Sequence, residues 1–215
     1  MEKIKNVYCI EGFMADSNYY LIDNTESDDE YNYILVDTGT GQSNDHLLSN
    51  LQKIGLSTDD IDLIVNTHCH YDHVGGNVFF PNTKVAIHKI DALALKDPDS
   101  ELTVSSLFGS IVQRHDVDIE LEEGDKIAGF EVINTPGHTS GGISLWDGEI
   151  LICGDTIFAN GGIGRMDIGG NPQDMKESLT RLKELDVVYL LPGHGPWVKN
   201  GKQHIAMSCL NFNIV

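Results

Sequence analysis

The sequence has few positive charges for its size. Lysine and arginine number 14 against 33 aspartates and glutamates, which gives a formal net charge of −19 at pH 7. Proteins that bind nucleic acid need clustered lysine and arginine to neutralise phosphates, and the few cations of this chain are spread thinly along it. We therefore expect no nucleic-acid partner, and we interpret the acidic residues, including the run from Asp23 to Glu30, as solvated surface.

Long apolar runs are also absent. None approaches the roughly 20 residues that a membrane helix requires. The opening segment MEKIKNVYCIEGF lacks the apolar stretch and the small-residue cleavage site of a signal peptide. We expect a cytoplasmic protein with no membrane partner. The 215 residues suffice for one substantial core, so a single domain over residues 1–215 is predicted, while the composition indicates no oligomeric state.

Cysteine is scarce and badly spaced for cross-linking. The four cysteines stand far apart and form no CxxC pair, which argues against a disulfide framework and against a structural zinc site built on thiolates. We expect Cys9 and Cys153, in strand-like runs, to be buried. Side chains alternate along extended backbone, so Cys69 is expected to point away from its two neighbouring histidines.

The first half of the chain alternates strand and helix patterns. Strand-like runs VYCI, NYYLI and YNYILVD precede a helix predicted over Ser43–Ile54, whose apolar residues recur with helical spacing. The runs IDLIVNT and KVAIH predict two further strands, and a short helix is expected over Lys89–Leu95. The pattern weakens from Lys96 to Asp118, where we expect a loop or a short helix.

The second half repeats this organisation. Strands are predicted over Asp125–Thr135, Gly142–Trp146 and Glu149–Asp155, and Asp147-Gly148 between the last two indicates a tight hairpin. A glycine-rich loop follows. Two strand-and-helix sets in succession favour an α/β fold with two sheets face to face and helices outside, a four-layer αββα sandwich.

A helix and a final strand close the second half. The helix is predicted over Pro172–Leu185, with Asn171 as its N-cap and Pro172 as its first residue. The final strand is predicted over Val187–Gly195.

One stretch differs from the rest of the chain. THCHYDHVGG, residues 67–76, places three histidines and an aspartate directly after an apolar strand. His68 and His70 are expected to project from extended backbone. Asp72 and His73 follow where the chain turns into a helix. Imidazole and carboxylate together suit zinc, iron, manganese or nickel, so the spacing predicts one metal on the first pair and a second metal on the other.

Two ligands per metal are too few, because a zinc enzyme usually supplies three protein ligands and leaves one position open. Three residues at the ends of later apolar strands, each beside a glycine, can complete the sites: His138, Asp155 and His194. The seven residues suffice for two metals that share one carboxylate. The remaining histidines lack such surroundings and are expected to be packing or surface residues: His46, His88, His115 and His204.

The segments THCHYDHVGG, PGHTSGG, GDTIF and PGHG, in this order and spacing, resemble the metallo-β-lactamase-fold superfamily over nearly the whole chain. The resemblance implies the αββα sandwich of the metallo-β-lactamase type. It implies two divalent metal ions as cofactors, with zinc expected and iron or manganese as alternatives. It assigns three residues to the first metal: His68, His70 and His138. It assigns three others to the second metal, namely Asp72, His73 and His194, and it makes Asp155 the ligand that bridges both metals.

Within the superfamily, GDTIFANGGIGRMDIGG resembles the branch that contains glyoxalase II (hydroxyacylglutathione hydrolase) and the persulfide dioxygenases. The chain departs from glyoxalase II in three places. It has Asp167 where that enzyme usually has an aromatic residue, and Gly195-Pro196 where that enzyme usually has Glu-Tyr. After His194 it has only residues 195–215, where that enzyme usually adds a helical domain. These departures predict weak binding of glutathione compounds. Arg165 either anchors a substrate carboxylate or holds its own loop against an acid such as Asp167, and the second role is preferred.

The resemblance implies a metal-dependent hydrolase of small acyl thioesters or esters, acting through a hydroxide that bridges two metal ions. Asp155 would hold the metal pair and Asp72 would orient the hydroxide, which makes these carboxylates the predicted catalytic residues. Thiolates leave readily, so the lack of an obvious general acid favours thioesters over amides.

The resemblance also leaves two other reactions open, because they would use the same residues. One is a persulfide dioxygenase with a single iron on His68, His138 and Asp155. The other is a lactonase with the same metal site and a different pocket. A binding module without catalysis is disfavoured, because all seven ligands are intact.

Overall fold

The computed structural model describes residues 1–96 and 100–214. Contacts group the chain into two compact units, one formed by Met1–Ile87 with Ala92–Glu120 and the other by His88–Asp91 with Leu121–Val215. Each unit combines a sheet with helices, as predicted from the sequence. A single domain over residues 1–215 stays a prediction. No helix within the described residues has the length and apolar character needed to span a lipid bilayer.

The first unit is built on a seven-stranded sheet whose strands follow their order in the sequence. Strands β1 to β4 pair antiparallel, whereas β4, β5 and β6 pair parallel. Parallel neighbours need long crossover connections, which helix α1 and the segment after β5 provide. The strands are β1 (Glu2–Ile4), β2 (Val7–Ile10), β3 (Tyr19–Asp23), β4 (Tyr33–Val36), β5 (Leu63–Asn66), β6 (Lys84–His88) and β7 (Ile119–Leu121).

Helices of the first unit cover one apolar cluster. The helix predicted over Ser43–Ile54 is confirmed as α1, and its Leu47 and Leu51 are fully buried against residues such as Ile64. Residues 97–99, part of the segment with a weak pattern, lie outside the described residues. The helices are α1 (Asn44–Lys53), α2 (Tyr71–Val74), α3 (Ala92–Lys96) and α4 (Ser100–Thr103), with 3₁₀ turns at Thr58–Asp60, Gly75–Phe79 and Ser105–Phe108.

The second unit contains a six-stranded sheet in the order β15-β14-β11-β10-β9-β8 and a two-stranded ribbon. Neighbours are antiparallel except β11 and β14, which are parallel. The strands are β8 (Lys126–Ile127), β9 (Phe130–Asn134), β10 (Ile143–Trp146), β11 (Ile150–Gly154), β12 (Ile157–Phe158), β13 (Gly162–Ile163), β14 (Tyr189–Pro192) and β15 (Val198–Lys199). The helices are α5 (Pro172–Leu182) and α6 (Gly201–Asn211).

The structure corrects the sequence prediction in the second unit. The single strand predicted over Asp125–Thr135 is wrong, because β8 and β9 form a hairpin within it. Its central residues, Ala128 and Gly129, have φ values of 49° and 81°, as two-residue hairpin turns require. The glycine-rich loop after β11 contains the β12–β13 hairpin, and α6 was not predicted.

The predicted cap of α5 is confirmed. Asn171 Oδ1 accepts hydrogen bonds from the backbone nitrogens of Gln173 and Asp174 at 2.8 and 3.3 Å, and Pro172 is the first helical residue. The helix needs this cap because its first four N–H groups have no partner within the helix.

We expect Asn171→Ala to lower the free energy of unfolding by about 1 kcal/mol, which in a chain of this size corresponds to a fall of about 2–4 °C in Tm. Asn171→Asp keeps an acceptor oxygen and should melt close to the natural protein. Thermal unfolding followed by circular dichroism measures both. Identical melting of Asn171→Ala and the natural protein would show that the cap contributes nothing.

The four cysteines are buried and form no disulfide, so the burial expected for Cys9 and Cys153 is confirmed. Burial raises the pKa of both thiols to about 12. The Cys153 thiol also donates to the carbonyl of Ile157 at 3.3 Å, and the Cys69 thiol contacts the carbonyl of Leu102 at 3.6 Å. These cysteines pack as small apolar side chains.

The burial of all four thiols, together with the raised pKa values of Cys9, Cys153 and Cys209, predicts inert thiols. A thiol with a pKa near 12 stays protonated through neutral and mildly alkaline pH, and only the thiolate attacks a disulfide reagent. At pH 8 the native protein should release almost no colour from a chromogenic aromatic disulfide, whereas protein in guanidinium chloride should react at all four positions. Rapid labelling of one thiol in the native protein would contradict this expectation.

Candidate metal centre

In the first unit, the histidine-rich cluster lies where β5 ends and α2 begins. His70 has extended backbone (φ −65°, ψ 146°), and Asp72 and His73 lie on α2, as expected from the sequence. In three pairs the potential ligand atoms are within 4.8 Å of each other: His68 with His70, His68 with His73, and Asp72 with His73. One turn of chain therefore presents several metal ligands close together.

The three imidazoles of this cluster are crowded and buried. His68 and His70 are each 2% exposed and His73 is fully buried. The ring centroid of His68 lies 4.8 Å from that of His70 and 4.0 Å from that of His73. Crowded buried imidazoles, with a carboxylate on the same turn, form a donor set that fits zinc or iron.

A buried aspartate at the end of β4 organises the cluster. Asp37 is 2% exposed, and its Oδ1 accepts a hydrogen bond from the backbone nitrogen of Thr67 at 2.8 Å. Its Oδ2 accepts from the Thr67 hydroxyl at 2.8 Å and from His73 Nδ1 at 2.7 Å. Three donors from the segment after β5 thus converge on one carboxylate and fix the position of that segment.

The same network sets the tautomers of two histidines. The Thr67 hydroxyl has one hydrogen and donates it to Asp37, so at 3.1 Å from His68 Nδ1 its oxygen accepts a hydrogen bond from that nitrogen. His73 Nδ1 likewise donates to Asp37. With Nδ1 protonated in both rings, Nε2 carries the lone pair. This is the usual way in which a protein orients a metal-binding histidine.

Glycine at position 76 allows the turn to pack closely. A Cβ there would lie 2.1 Å from the carbonyl oxygen of Thr38. The backbone nitrogen of Thr38 in turn donates to the carbonyl of His73 at 2.8 Å. Glycine is therefore required at position 76 for the turn to lie against Thr38, the residue that contacts His73.

In the second unit, three candidate ligands follow strands of the six-stranded sheet. His138 follows β9, Asp155 follows β11 and His194 follows β14. Asp155 Oδ2 lies 3.4 Å from His138 Nε2 and 3.7 Å from His194 Nε2. Both separations are longer than a normal N–H···O hydrogen bond. A carboxylate oxygen between two imidazole nitrogens suits a bridging ligand, which is the role that the family resemblance implies for Asp155.

His138 is oriented by the backbone of the glycine-rich loop. Its Nδ1 donates to the carbonyl oxygen of Arg165 at 2.7 Å, so its Nε2 carries the lone pair. A Cβ on Gly164 would lie 1.9 Å from the carbonyl oxygen of Asp155 and 3.0 Å from the His138 ring. Only glycine fits at this position, and the loop thereby brings the Arg165 carbonyl to the histidine.

The Arg165 side chain points to a different partner. Its Nε and a terminal nitrogen bond both oxygens of Asp167 at 2.8 and 2.6 Å. This guanidinium holds the pKa of Asp167 at about 2, well below the usual value. The two side chains are 58% and 67% exposed. The pairing anticipated as one of two alternatives for Arg165 is therefore present.

The other histidines have contacts of packing or surface residues. His46 stacks on Phe13, and its Nε2 lies 3.0 Å from the carbonyl of Glu11. His204 Nδ1 accepts a hydrogen bond from the backbone nitrogen of Asn160 at 2.9 Å. Burial lowers the pKa of His88.

Asp37 was missed in the sequence, where DTGTG indicated only a turn. A positional signal was available, because Asp37 directly follows a buried strand that pairs parallel with β5. The carboxyl ends of parallel strands meet at one edge of a sheet, and ligand sites concentrate there. A carboxylate after one strand and a histidine cluster after its parallel neighbour are thus expected to meet.

Comparison with known proteins identifies the family to which the chain belongs. The family model of the metallo-beta-lactamase superfamily matches residues 14–194. Over 197 residues the chain is 39% identical to the probable metallo-hydrolase MJ0888 of Methanocaldococcus jannaschii, covering 86% of this chain and 91% of the relative. It is 31% identical over 183 residues to a hydroxyacylglutathione hydrolase of Idiomarina loihiensis, covering 83% of this chain. The chain spans 60% of that relative's length.

A solved structure, that of TTHA1623 in a di-iron-bound form, is similar with a TM-score of 0.75 and 28% identity, covering 92% of this chain and 96% of that one. The chain belongs to the metallo-β-lactamase superfamily. The α/β fold class of the metallo-β-lactamase type is confirmed, and the resemblance to the hydroxyacylglutathione hydrolase branch is also confirmed.

The Asp37 network predicts a loss of metal affinity when its charge is removed. Asp37→Asn keeps the shape of the side chain, and asparagine tolerates the left-handed backbone at this position (φ 60°). The variant loses a charged acceptor for His73, so we expect metal to bind about 10–100-fold more weakly. Competition with a chromophoric chelator measures the affinity.

Asp62→Asn is the matched control. Asp62 lies at the opposite end of β5 from the cluster and accepts hydrogen bonds from the backbone nitrogens of Asn32 and Tyr33 at 2.8 and 3.0 Å. It should bind metal as the natural protein does. Equal affinities of both variants would contradict the role assigned to Asp37.

Proposed function

We propose that this metallo-hydrolase of the metallo-β-lactamase superfamily cleaves acyl thioesters of small molecules with the help of two divalent metal ions. The ligands in this proposal are His68, His70, Asp72, His73, His138, Asp155 and His194. The observation that carries the proposal is the orientation of His68, His73 and His138, each held at Nδ1 so that Nε2 is the nitrogen available to a metal. A purely structural histidine does not need this arrangement.

We expect zinc in both positions. Imidazole and carboxylate also suit iron and manganese. Iron is the first alternative for this chain, because the similar protein TTHA1623 has a di-iron-bound form. When bound, the two ions would supply a hydroxide at neutral pH and polarise the carbonyl of the substrate.

The residues of the chain hold and orient the reacting groups. Asp155, whose Oδ2 lies near His138 and His194, would be the ligand shared by both metal ions and would offset their positive charge. Asp72, half-exposed on α2, would accept a hydrogen bond from the attacking hydroxide and direct it at the carbonyl carbon. Asp37 would keep the proton on Nδ1 of His73.

The leaving group determines the preferred substrate class. A thiolate needs no proton to leave, so a site with metal ligands but no assigned general acid suits a thioester better than an amide. We assign Arg165 to holding its loop, because its guanidinium already binds both oxygens of Asp167. Glutathione carboxylates would compete with Asp167 for Arg165 and would meet a net charge of −19. Binding of glutathione thioesters should therefore be weak.

Metal analysis tests the ligand assignment. We expect the natively expressed protein to contain two metal ions per chain, and Asp155→Ala to lose metal from both positions because the bridging carboxylate serves both. His194→Ala should lose one ion. His115→Ala, which changes a half-buried histidine without an assigned role, is the control. Full metal content and activity in Asp155→Ala would refute the assignment.

Kinetics test the reaction. We expect hydrolysis of S-lactoylglutathione with a high KM and of a small neutral thioester with a lower one, because each lost hydrogen bond to a charged group weakens binding by roughly 1.5–3 kcal/mol. A homoserine lactone and oxygen uptake with glutathione persulfide are assayed in parallel. Tight, fast turnover of S-lactoylglutathione would overturn the interpretation of the pocket. Oxygen uptake by a protein with one iron, without ester hydrolysis, would make the dioxygenase the correct reaction.

A further inference from the structure

Asp91 is a second buried aspartate without a role in the ligand set. It lies in the turn between β6 and α3 and is 5% exposed. Its Oδ2 accepts a hydrogen bond from the Thr139 hydroxyl at 3.0 Å. Thr139 directly follows His138, so this carboxylate contacts the residue next to a proposed metal ligand, 48 positions away in the sequence.

The loop that carries His138 is shaped around Asp91. A Cβ on Gly141 would lie 2.3 Å from Asp91 Oδ1 and 2.8 Å from its backbone nitrogen, so only glycine leaves room for this carboxylate. One backbone hydrogen bond, from the nitrogen of Thr135 to the carbonyl oxygen of Gly142 at 2.8 Å, joins the two ends of this loop. Oδ2 of Asp91 thus accepts from the Thr139 hydroxyl, and Oδ1 packs against the backbone of Gly141.

We propose that Asp91 is a positioning residue for His138, acting through Thr139. The inference rests on the proposed function only in that His138 is taken as a metal ligand. His138 is then fixed from two directions. The Arg165 carbonyl holds the ring at Nδ1, and the Asp91–Thr139 hydrogen bond holds the backbone that carries the ring. A carboxylate removed from water needs hydrogen-bond donors from the protein, and the Thr139 hydroxyl is one donor to Asp91. The position of the loop and the position of Asp91 therefore depend on each other.

Four variants test this proposal from both partners. Thr139→Val removes the donor with little change in shape, and Asp91→Ala removes the acceptor. Thr139→Ser and Asp91→Asn keep a donor and an acceptor and should behave close to the natural protein. Thr180→Val is the matched control, since Thr180 donates to the carbonyl of Lys176 within α5, on an exposed face.

Two measurements are made on each variant. Zinc affinity is measured by competition with a chromophoric chelator. The ring tautomer and line width of His138 are measured by nitrogen NMR on metal-free, histidine-labelled protein, with His138→Ala assigning the signal. We expect Thr139→Val and Asp91→Ala to weaken one zinc equivalent about 10–100-fold and to broaden the His138 signal. The double variant should be no worse than the worse single one, because both changes break the same hydrogen bond.

Unchanged zinc affinity and an unchanged His138 signal in Thr139→Val would overturn the proposal, as would additive losses in the double variant. Failure of the proposed function gives a different result, namely natural protein that takes up no zinc. The His138 signal of metal-free protein still decides the positioning role in that case. A fall in Tm with both readouts intact would show that the Asp91–Thr139 bond serves stability alone.

Discussion

The hydrogen bonds that converge on Asp37 are the constraint on which the first ligand cluster depends. A carboxylate buried to this extent loses its hydration and must recover it from protein donors. Asp37 recovers it from the backbone and hydroxyl of Thr67 and from His73. These donors belong to the turn that carries the candidate ligands. The hydrogen bonds that replace the hydration of Asp37 therefore also fix the shape of that turn. The left-handed backbone at Asp37 is held within this arrangement.

The second unit also holds a histidine by its Nδ1 atom, but with a different hydrogen-bond acceptor. There a backbone carbonyl, that of Arg165, receives the Nδ1 proton of His138. A carbonyl carries no net charge, so the His138 ring is held directly by the shape of the loop, and the buried carboxylate of Asp91 acts on that loop only through Thr139. The two close approaches at Gly164 and Gly141 show how tightly that shape is specified. The two units thus orient histidines of the same kind with different chemistry, a carboxylate in one and a main-chain dipole in the other.

Much of the fold and of the candidate ligand set was predictable because the signals are local. Apolar periodicity identified α1 and α5, and Asn171-Pro172 marked the start of a helix. The spacing within THCHYDHVGG identified candidate ligands that lie close together in the structure. The hairpin of β8 and β9 was missed because alanine at a positive φ gives no local warning.

Asp37 and Asp91 were missed for a different reason. Their partners lie 30 and 48 positions away in the sequence, so no periodic pattern records these contacts. For Asp37 the one signal was its position directly after a buried strand. The direction of the Arg165 side chain could be anticipated only as one of two alternatives. A charge two residues away is visible in a sequence, whereas the loop geometry that brings the two groups together is not.

The close approach at Gly164 has a consequence for how this protein can change over time. The atom that a methyl group would strike first there is a main-chain oxygen, which cannot move aside as the end of a flexible side chain can. Even the smallest substitution is therefore barred beside the ligands. One and three residues further along the same loop, Arg165 and Asp167 are more than half exposed and face no such barrier. Sequence change within this loop is thus confined to its outer side chains, while position 164 must stay glycine.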